Sequence, residues 1–185
     1  MKKPIILLAL FLCVFTGAFA QRHLKGIKSL DILGGKTGKG YYGEVGYNRY
    51  LTNKFYINLP VRAELAKIND VKLYSFSFNP SINYTVLKPT EWLFLSVKAG
   101  GSAYLDQRSS ALGDSLFYKS SATTFNFGVF GGAEAEIYIS DKVVWVINFR
   151  QNYNFVNYPG NWVWYAGTGL RLNIFKERYI YEPYL

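Results

Sequence analysis

Groups that carry thiol and imidazole chemistry are nearly absent from this 185-residue chain, which has one cysteine and one histidine. Cys13 lies in an apolar N-terminal segment, and Leu12 before it is not the small residue that a lipid-modified cysteine needs. Without that segment the chain has no disulfide and no ligand set for a transition-metal cluster. A Ser-His-Asp triad would depend on His23 near the mature N-terminus, which argues against such catalysis. We therefore expect no enzyme activity, no cofactor and no metal.

Long hydrophobic runs are missing beyond the first 20 residues. The opening "MKK", the apolar "PIILLALFLCVFTG" and the small-residue "AFA" form the three regions of a secretory signal peptide, with predicted cleavage after Ala20. No later segment is apolar over about 18 residues, so no transmembrane helix is predicted. The predicted organisation is a signal peptide at 1–20, one domain at 21–175 and a short C-terminal tail at 176–185.

Tyrosine, phenylalanine and glycine are abundant instead, with 16, 14 and 17 residues respectively. Aromatic residues with many glycines and a modest charged fraction favour a β-rich protein. The formal net charge of +9 suits an anionic surface, either lipid headgroups or nucleic acid, and does not choose between them.

Apolar and polar residues alternate with period two along the mature chain, which predicts strands. In "WVWYAGTGLRLNIF", 162–175, one face is apolar and the other is polar or small. Eight such segments occur, near 27–33, 41–48, 55–65, 74–86, 95–104, 125–139, 143–155 and 162–175. Tight turns are predicted at 51–54, 88–91 and 140–142, and longer loops at 34–39, 66–70, 106–122 and 157–161. An even number of strands with short turns at one end and longer loops at the other is typical of an outer-membrane β-barrel.

The charges on the polar faces distinguish between two predicted folds, a membrane barrel and a secreted β-sandwich. An eight-stranded barrel has a lumen just wide enough for side chains, and charges buried there must pair. Five acids and four bases at mid-strand are nearly balanced, which favours an antiparallel, up-and-down transmembrane barrel with its apolar face on lipid. The predicted lumen network comprises Glu44, Arg62, Glu64, Lys98, Glu134, Glu136, Arg150 and Arg171, and Asp31 shares the polar face.

Aromatic residues near the predicted strand ends suggest two interfacial girdles, as in membrane barrels. The predicted girdle residues are Phe55, Trp92, Tyr138 and Trp145 beside the tight turns, and Tyr41, Trp162 and Trp164 beside the longer loops.

The stretch "GGKTGKG", Gly34 to Gly40, ends like a phosphate-binding loop but fails two tests for one. The motif G-x-x-x-x-G-K-[ST] would need glycine at position 30, where Leu30 stands. It also needs a following helix, whereas "YYGEVGYNRY" has the pattern of a strand. We interpret the stretch as the first loop of the barrel, whose lysines face water or anionic lipopolysaccharide.

Two further site hypotheses remain open on the residues alone. Glu134 and Glu136, two apart on one strand face, resemble a general acid/base pair. The alternative, that they are ion partners of Lys98, Arg150 and Arg171, is favoured. The basic residues are scattered along strands and not grouped, so direct nucleic-acid binding is not expected.

Several segments resemble the TraO family of Bacteroidetes conjugative-transposon proteins. They are "AFAQR", "GYNRYLTNKFY", "LFLSVKAGGSAYLD", "FNFGVFGGAEAEIYISDKVVWVINFRQNYNF" and "GTGLRLNIF", and the resemblance is most specific within 125–175. It implies a non-enzymatic outer-membrane part of a mating apparatus for conjugative DNA transfer, with protein partners in that apparatus.

Two other functions stay open from the residues. One is a general eight-stranded outer-membrane protein for adhesion, structure or small-solute passage. The other is a lipid-modifying barrel enzyme, against which the single histidine argues. In each case the predicted location is the bacterial outer membrane, in contact with its lipid and lipopolysaccharide, and loops 106–122 and 157–161 are predicted to face partners.

Overall fold

The computed structural model of the protein describes residues 25–68, 71–109, 121–155 and 161–174, where all regular structure is β-strand. The predicted signal peptide, the predicted tail and His23 lie outside these residues. The described part has no helix that is long and apolar enough to cross a bilayer. The strands are β1 (Lys28–Thr37), β2 (Gly40–Tyr50), β3 (Phe55–Ile68), β4 (Val71–Phe78), β5 (Ser81–Leu87), β6 (Leu93–Ser109), β7 (Ser121–Tyr138), β8 (Val143–Asn154) and β9 (Trp162–Ile174).

The sheet closes on itself because the first strand pairs with both the second and the last. β1 runs antiparallel to β2 from Lys28 to Lys36, and antiparallel to β9 from Lys28 to Thr37. β4 and β5 share one place in the ring, since each pairs with both β3 and β6. The remaining strands follow in sequence order, so the predicted eight-stranded, antiparallel, up-and-down barrel is confirmed.

The place shared by β4 and β5 is interrupted at Asn79 and Pro80, where one continuous strand was predicted. Proline has no N–H for the ladder, so strands tolerate it at irregular positions. The ladder is completed around it, since the Asn79 N–H donates to the Pro60 carbonyl at 3.0 Å and the Gly101 N–H to the Pro80 carbonyl at 3.1 Å. The break is local and leaves the strand order unchanged.

Burial in this barrel is the reverse of burial in a water-soluble protein. Ile32 on β1 is 63% exposed, whereas Asp31 beside it is 1% exposed. The same alternation runs along the other strands, with apolar side chains outside and mainly polar or tyrosine side chains inside. An outward apolar face and a polar lumen are the features of a transmembrane β-barrel, and the prediction of that fold is confirmed.

The prediction of a long first loop at 34–39 is wrong. Residues 34–37 belong to β1, and a two-residue connection at 38–39 leads into β2. The glycines continue the ladder instead of ending it. A side chain on Gly35 would stand 2.2 Å from the Ala166 carbonyl oxygen, so glycine allows β1 and β9 to approach closely here. Thr37 Oγ1 then accepts hydrogen bonds from the N–H groups of Lys39 and Gly40, both at 3.0 Å, and closes the turn.

Two other predicted loops are also shorter than expected. β3 and β4 pair up to Ile68 and Val71, so only residues 69–70 connect them. β6 and β7 remain paired as far as Ser109 and Ser121, which leaves 110–120 of the predicted loop 106–122. The predicted contrast between short turns and longer loops therefore holds for the second half of the chain only. Residues 69–70, 110–120 and most of loop 157–161 lie outside the described residues.

Candidate functional site in the barrel lumen

One arginine in the lumen contacts three carboxylates. Arg171 on β9 is fully buried and stands in register with Asp31 on β1, to which it donates from Nε at 2.7 Å and from Nη2 at 3.0 Å. Its Nη2 also lies 2.6 Å from Glu134 Oε1, and its Nη1 lies 2.7 Å from Glu136 Oε1. A guanidinium presents five N–H donors in a fixed plane, which suits it to several carboxylates at once.

A lysine and two tyrosines complete this group. Lys98 Nζ donates to Glu134 Oε2 at 2.6 Å. The Tyr56 hydroxyl lies 2.8 Å from Glu134 Oε1 and 2.9 Å from Glu136 Oε1, and the Tyr50 hydroxyl accepts from Arg171 Nη1 at 3.0 Å. Phenol groups thus supplement two cations in satisfying three buried carboxylates. We call Asp31, Tyr50, Tyr56, Lys98, Glu134, Glu136 and Arg171 the Arg171 cluster.

A second cluster lies nearer the long-loop end and is organised around Glu44. Arg62, its register partner on β3, donates to Glu44 Oε2 through Nε at 2.9 Å and through Nη2, and Arg150 Nη2 lies 3.2 Å from the same oxygen. The Arg62 guanidinium carbon lies 4.6 Å from the Tyr42 ring centroid and 4.2 Å from that of Tyr165. Aromatic faces attract a cation and compensate part of its lost hydration. We call Glu44, Arg62 and Arg150 the Glu44 cluster.

Glu64 reaches the lumen beside this cluster but is satisfied by hydroxyl groups. It accepts hydrogen bonds from Thr37 Oγ1 at 3.0 Å and from the Tyr165 hydroxyl at 3.1 Å. The threonine of "GKT" therefore links the first turn to the lumen wall.

Tyrosines and apolar side chains fill the lumen towards the tight-turn end. Tyr50 and Tyr56 stack with ring centroids 4.8 Å apart, and Ile27 joins them. Phe94 and Tyr138 pack at 5.3 Å in a second apolar group. Tyr138, predicted as a girdle residue, is only 2% exposed. That prediction is wrong because Tyr138 continues the inward series of Glu134 and Glu136, and strand parity decides its direction.

The four tryptophans predicted for the interfaces all lie on the outer surface. Trp92 and Trp145 stand near the tight turns, and Trp162 and Trp164 near the long-loop end, each between 42% and 66% exposed. Trp145 Nε1 donates to Thr168 Oγ1 on β9 at 2.6 Å. The polar ring edge of this indole is therefore hydrogen-bonded to the neighbouring strand of the barrel wall.

The lumen also contains functional side chains that the sequence interpretation missed. Asp106 was placed in a loop, yet it lies on β6 and is 3% exposed. Six lining tyrosines were not assigned to the network either. Strand parity is the available signal, since it places Tyr104 on the polar face with Ser102 and continues inward to Asp106. The six buried tyrosines are Tyr42, Tyr50, Tyr56, Tyr104, Tyr138 and Tyr165.

Ion pairing and packing are the chemistry that this arrangement favours. Glu134 is 4% exposed and Glu136 is fully buried, so a substrate has no direct access to either carboxylate. Both carboxylates face the Arg171 guanidinium instead. Within the described ranges no three histidine, cysteine or acidic side chains come together as metal ligands would.

Replacement of Arg150 by alanine is expected to lower the free energy of unfolding by about 1–3 kcal/mol. The effect is moderate because Glu44 keeps Arg62 as its partner, while the contact between Arg150 and the Phe130 ring, 4.9 Å from its centroid, is lost. Urea titration of the refolded barrel, followed by tryptophan fluorescence, measures the change. An unfolding midpoint equal to that of the unaltered protein would contradict it.

The closed sheet, the outward apolar face and the charged lumen define an eight-stranded barrel of the outer-membrane type. No protein-family model matches the chain, and the curated proteins likewise include no match. Solved structures do resemble it. The N-terminal β-barrel domain of OprF from Pseudomonas aeruginosa is 13% identical, with a TM-score of 0.61 over 81% of this chain and 98% of that one.

Two further structures share the fold. A major outer membrane protein from Thermus thermophilus is 11% identical, with a TM-score of 0.69 over 80% of this chain and 99% of that one. Ail, the attachment invasion locus protein of Yersinia pestis, is 11% identical, with a TM-score of 0.52 over 80% and 100%. At these identities the likeness concerns the fold alone, which is that of outer-membrane barrels.

Proposed function

We propose that this barrel is a non-enzymatic, outer-membrane component of a conjugative DNA-transfer apparatus. The observation that carries the proposal is the resemblance of segment 125–175 to the TraO family, from Phe130-Gly131-Gly132 through "ISDK" to the last strand. This segment supplies β7, β8 and β9, and with them Glu134, Glu136, Arg150 and Arg171 of the lumen.

The filled lumen supports a scaffold role in preference to a channel. The Arg171 cluster and the Glu44 cluster occupy successive levels of the barrel with buried, mutually bonded side chains. A duplex or single strand of DNA has no path through a lumen of this kind, because an eight-stranded barrel is just wide enough for its own side chains. In this proposal the barrel anchors residues 110–120 and loop 157–161, which contact protein partners of the apparatus.

Deletion of the gene from a donor strain is expected to lower the frequency of conjugative transfer strongly, because the apparatus would lack its outer-membrane component. Plasmid-borne wild-type protein should restore it, whereas deletion in the recipient alone should have no effect. A complementing variant with residues 110–120 replaced by a short Gly-Ser linker tests the loop, since the paired ends Ser109 and Ser121 remain.

Outer-membrane fractionation and a heat-modifiability gel accompany the mating assay. They show whether each variant is present as a folded barrel in the proposed location. Wild-type transfer from the deletion strain would overturn the role in conjugation. A general outer-membrane function such as adhesion would then be the alternative to pursue.

A further inference from the structure

The charges exposed at the tight-turn end of the barrel are distributed unevenly. Turns 88–91 and 140–142 each combine a base with an acid, Lys88 with Glu91 and Lys142 with Asp141. These are the two carboxylates that are exposed among the described residues. The opposite side of the rim, around β1, β2 and turn 51–54, has four exposed bases, Lys25, Lys28, Arg49 and Lys54.

Two of these bases face each other across the first strand pair. Lys28 and Arg49 are register partners on β1 and β2, and both are exposed on the outer surface. Like charges placed directly opposite in a sheet repel each other. On the same faces the next outward residues are Leu30 and Tyr47, so the two cations stand where the apolar belt ends. An anion at the boundary between lipid chains and water would remove the repulsion.

The other two bases line a shallow, mostly open hollow of about 460 Å³ with Thr52, Asn53 and Phe55. The turn that forms the hollow is ordered by hydrogen bonds, because Thr52 Oγ1 accepts from the N–H groups of Lys54 at 3.2 Å and Phe55 at 3.0 Å. On the other side the Gly26 N–H donates to the Tyr50 carbonyl at 2.8 Å, which holds Lys25 next to the turn. Cations therefore stand beside an aromatic ring at the membrane edge.

We propose that Lys25, Lys28, Arg49 and Lys54 form a binding site for the phosphate headgroups of anionic phospholipids at the periplasmic edge of β1–β3. Short turns of outer-membrane barrels face the periplasm, so this edge meets the phospholipid leaflet. Clusters of lysine and arginine beside a membrane span recognise anionic lipid in this way. Phe55 packs on Tyr84, with centroids 4.7 Å apart, and offers an apolar surface for the start of the acyl chains. The inference rests on the outer-membrane location proposed above and is independent of the role in conjugation.

Native mass spectrometry of the refolded mature chain in detergent tests the site. Phosphatidylglycerol is titrated against zwitterionic phosphatidylethanolamine, after a heat-modifiability gel has shown that the barrel is folded. We expect the wild-type protein to bind phosphatidylglycerol at a concentration roughly tenfold lower than it needs for phosphatidylethanolamine. Added salt should reduce this preference because it screens the attraction between the bases and the lipid phosphate. The variant with Lys25→Gln, Lys28→Gln, Arg49→Gln and Lys54→Gln should lose it.

Three controls identify the cause. The variant with Lys88→Gln and Lys142→Gln removes charge from the same rim and should keep the preference. Lys28→Arg with Lys54→Arg conserves charge and should also keep it. Glycerol phosphate that competes as well as the lipid would show a free-phosphate site and overturn the lipid assignment. An equal loss of the phosphatidylglycerol preference in the Lys88 and Lys142 variant would also overturn it. A folded wild-type barrel without any preference would overturn the site while leaving the mating assay unaffected.

Discussion

Arg171→Ala is expected to lower the free energy of unfolding by about 3–5 kcal/mol, because it leaves buried carboxylates without their cation. Asp31 loses both of its bonds from the guanidinium, and Glu136 loses its salt bridge at 2.7 Å. Lys98 still neutralises Glu134. Asp31 and Glu136 therefore stay buried after losing their bonds to the guanidinium, and this is the largest loss expected from a single lumen substitution.

Urea titration of the refolded barrel measures this loss, and the heat-shifted band on a gel should weaken in parallel. A matched control is Lys142→Ala, which removes an exposed cation from a turn and should stay within about 0.5 kcal/mol of the unaltered protein. The combination of Arg171→Met with Asp31→Asn and Glu136→Gln leaves the pair of Lys98 and Glu134 intact. It should recover part of the stability. A single variant as stable as the unaltered barrel would show that the Arg171 cluster contributes nothing to stability.

Gly169→Ala is expected to weaken the closure of the barrel between β1 and β9 by about 1–3 kcal/mol. A Cβ on Gly169 would stand 2.0 Å from the Ile32 carbonyl oxygen and 2.7 Å from the Leu33 Cα. Both are backbone atoms of the neighbouring strand and move only if the strands separate. Gly35 meets the Ala166 and Gly167 backbone in the same way, so glycines permit the close approach along this seam.

Gly43→Ala is the matched control for this seam. Gly43 lies in β2, and a Cβ there meets nothing within 4 Å. Alanine also reduces the freedom of the unfolded chain, so this variant should be as stable as the unaltered protein or slightly more stable. Refolding yield and urea midpoint of the two variants are compared in the same lipid. Equal midpoints would show that the β1–β9 seam tolerates a side chain.

The strands and their two faces could be predicted because the direction of a side chain in a strand is a local property. Successive Cβ atoms point to opposite faces, so the alternation of apolar and polar residues along 143–155 shows which residues share a face. The same rule places Tyr138 on the polar face with Glu134 and Glu136, and it places Asp106 inside when the sixth strand is continued beyond Tyr104. Charge and aromatic content at a strand end are also typical of loops and interfaces, and this competing signal predicts a loop at Asp106 and an interfacial Tyr138.

The ends of the strands and the pairing between strands could not be predicted from local alternation. Gly34 and Gly35 have the composition of a turn, and only the neighbouring strand shows that they serve close pairing with Thr168 and Gly167. The break at Pro80 likewise depends on Pro60 and Gly101 in two other strands, which supply the missing ladder contacts. These contacts join residues that are distant in the chain, and local pattern contains no information about register between distant strands.

The sequence by itself determined that apolar and polar residues alternate along the strands of this protein. It also determined that charges of both signs share the polar face and that the opposite face is apolar. Only the tertiary structure decided which charges meet. Arg171 and Asp31 are 140 residues apart in the chain, and closure of β9 on β1 brings them into register. The tertiary structure also decided that tyrosine hydroxyls satisfy part of the buried charge. The physical reason is that alternation is set by the backbone of one strand, whereas pairing depends on the closure of the whole sheet.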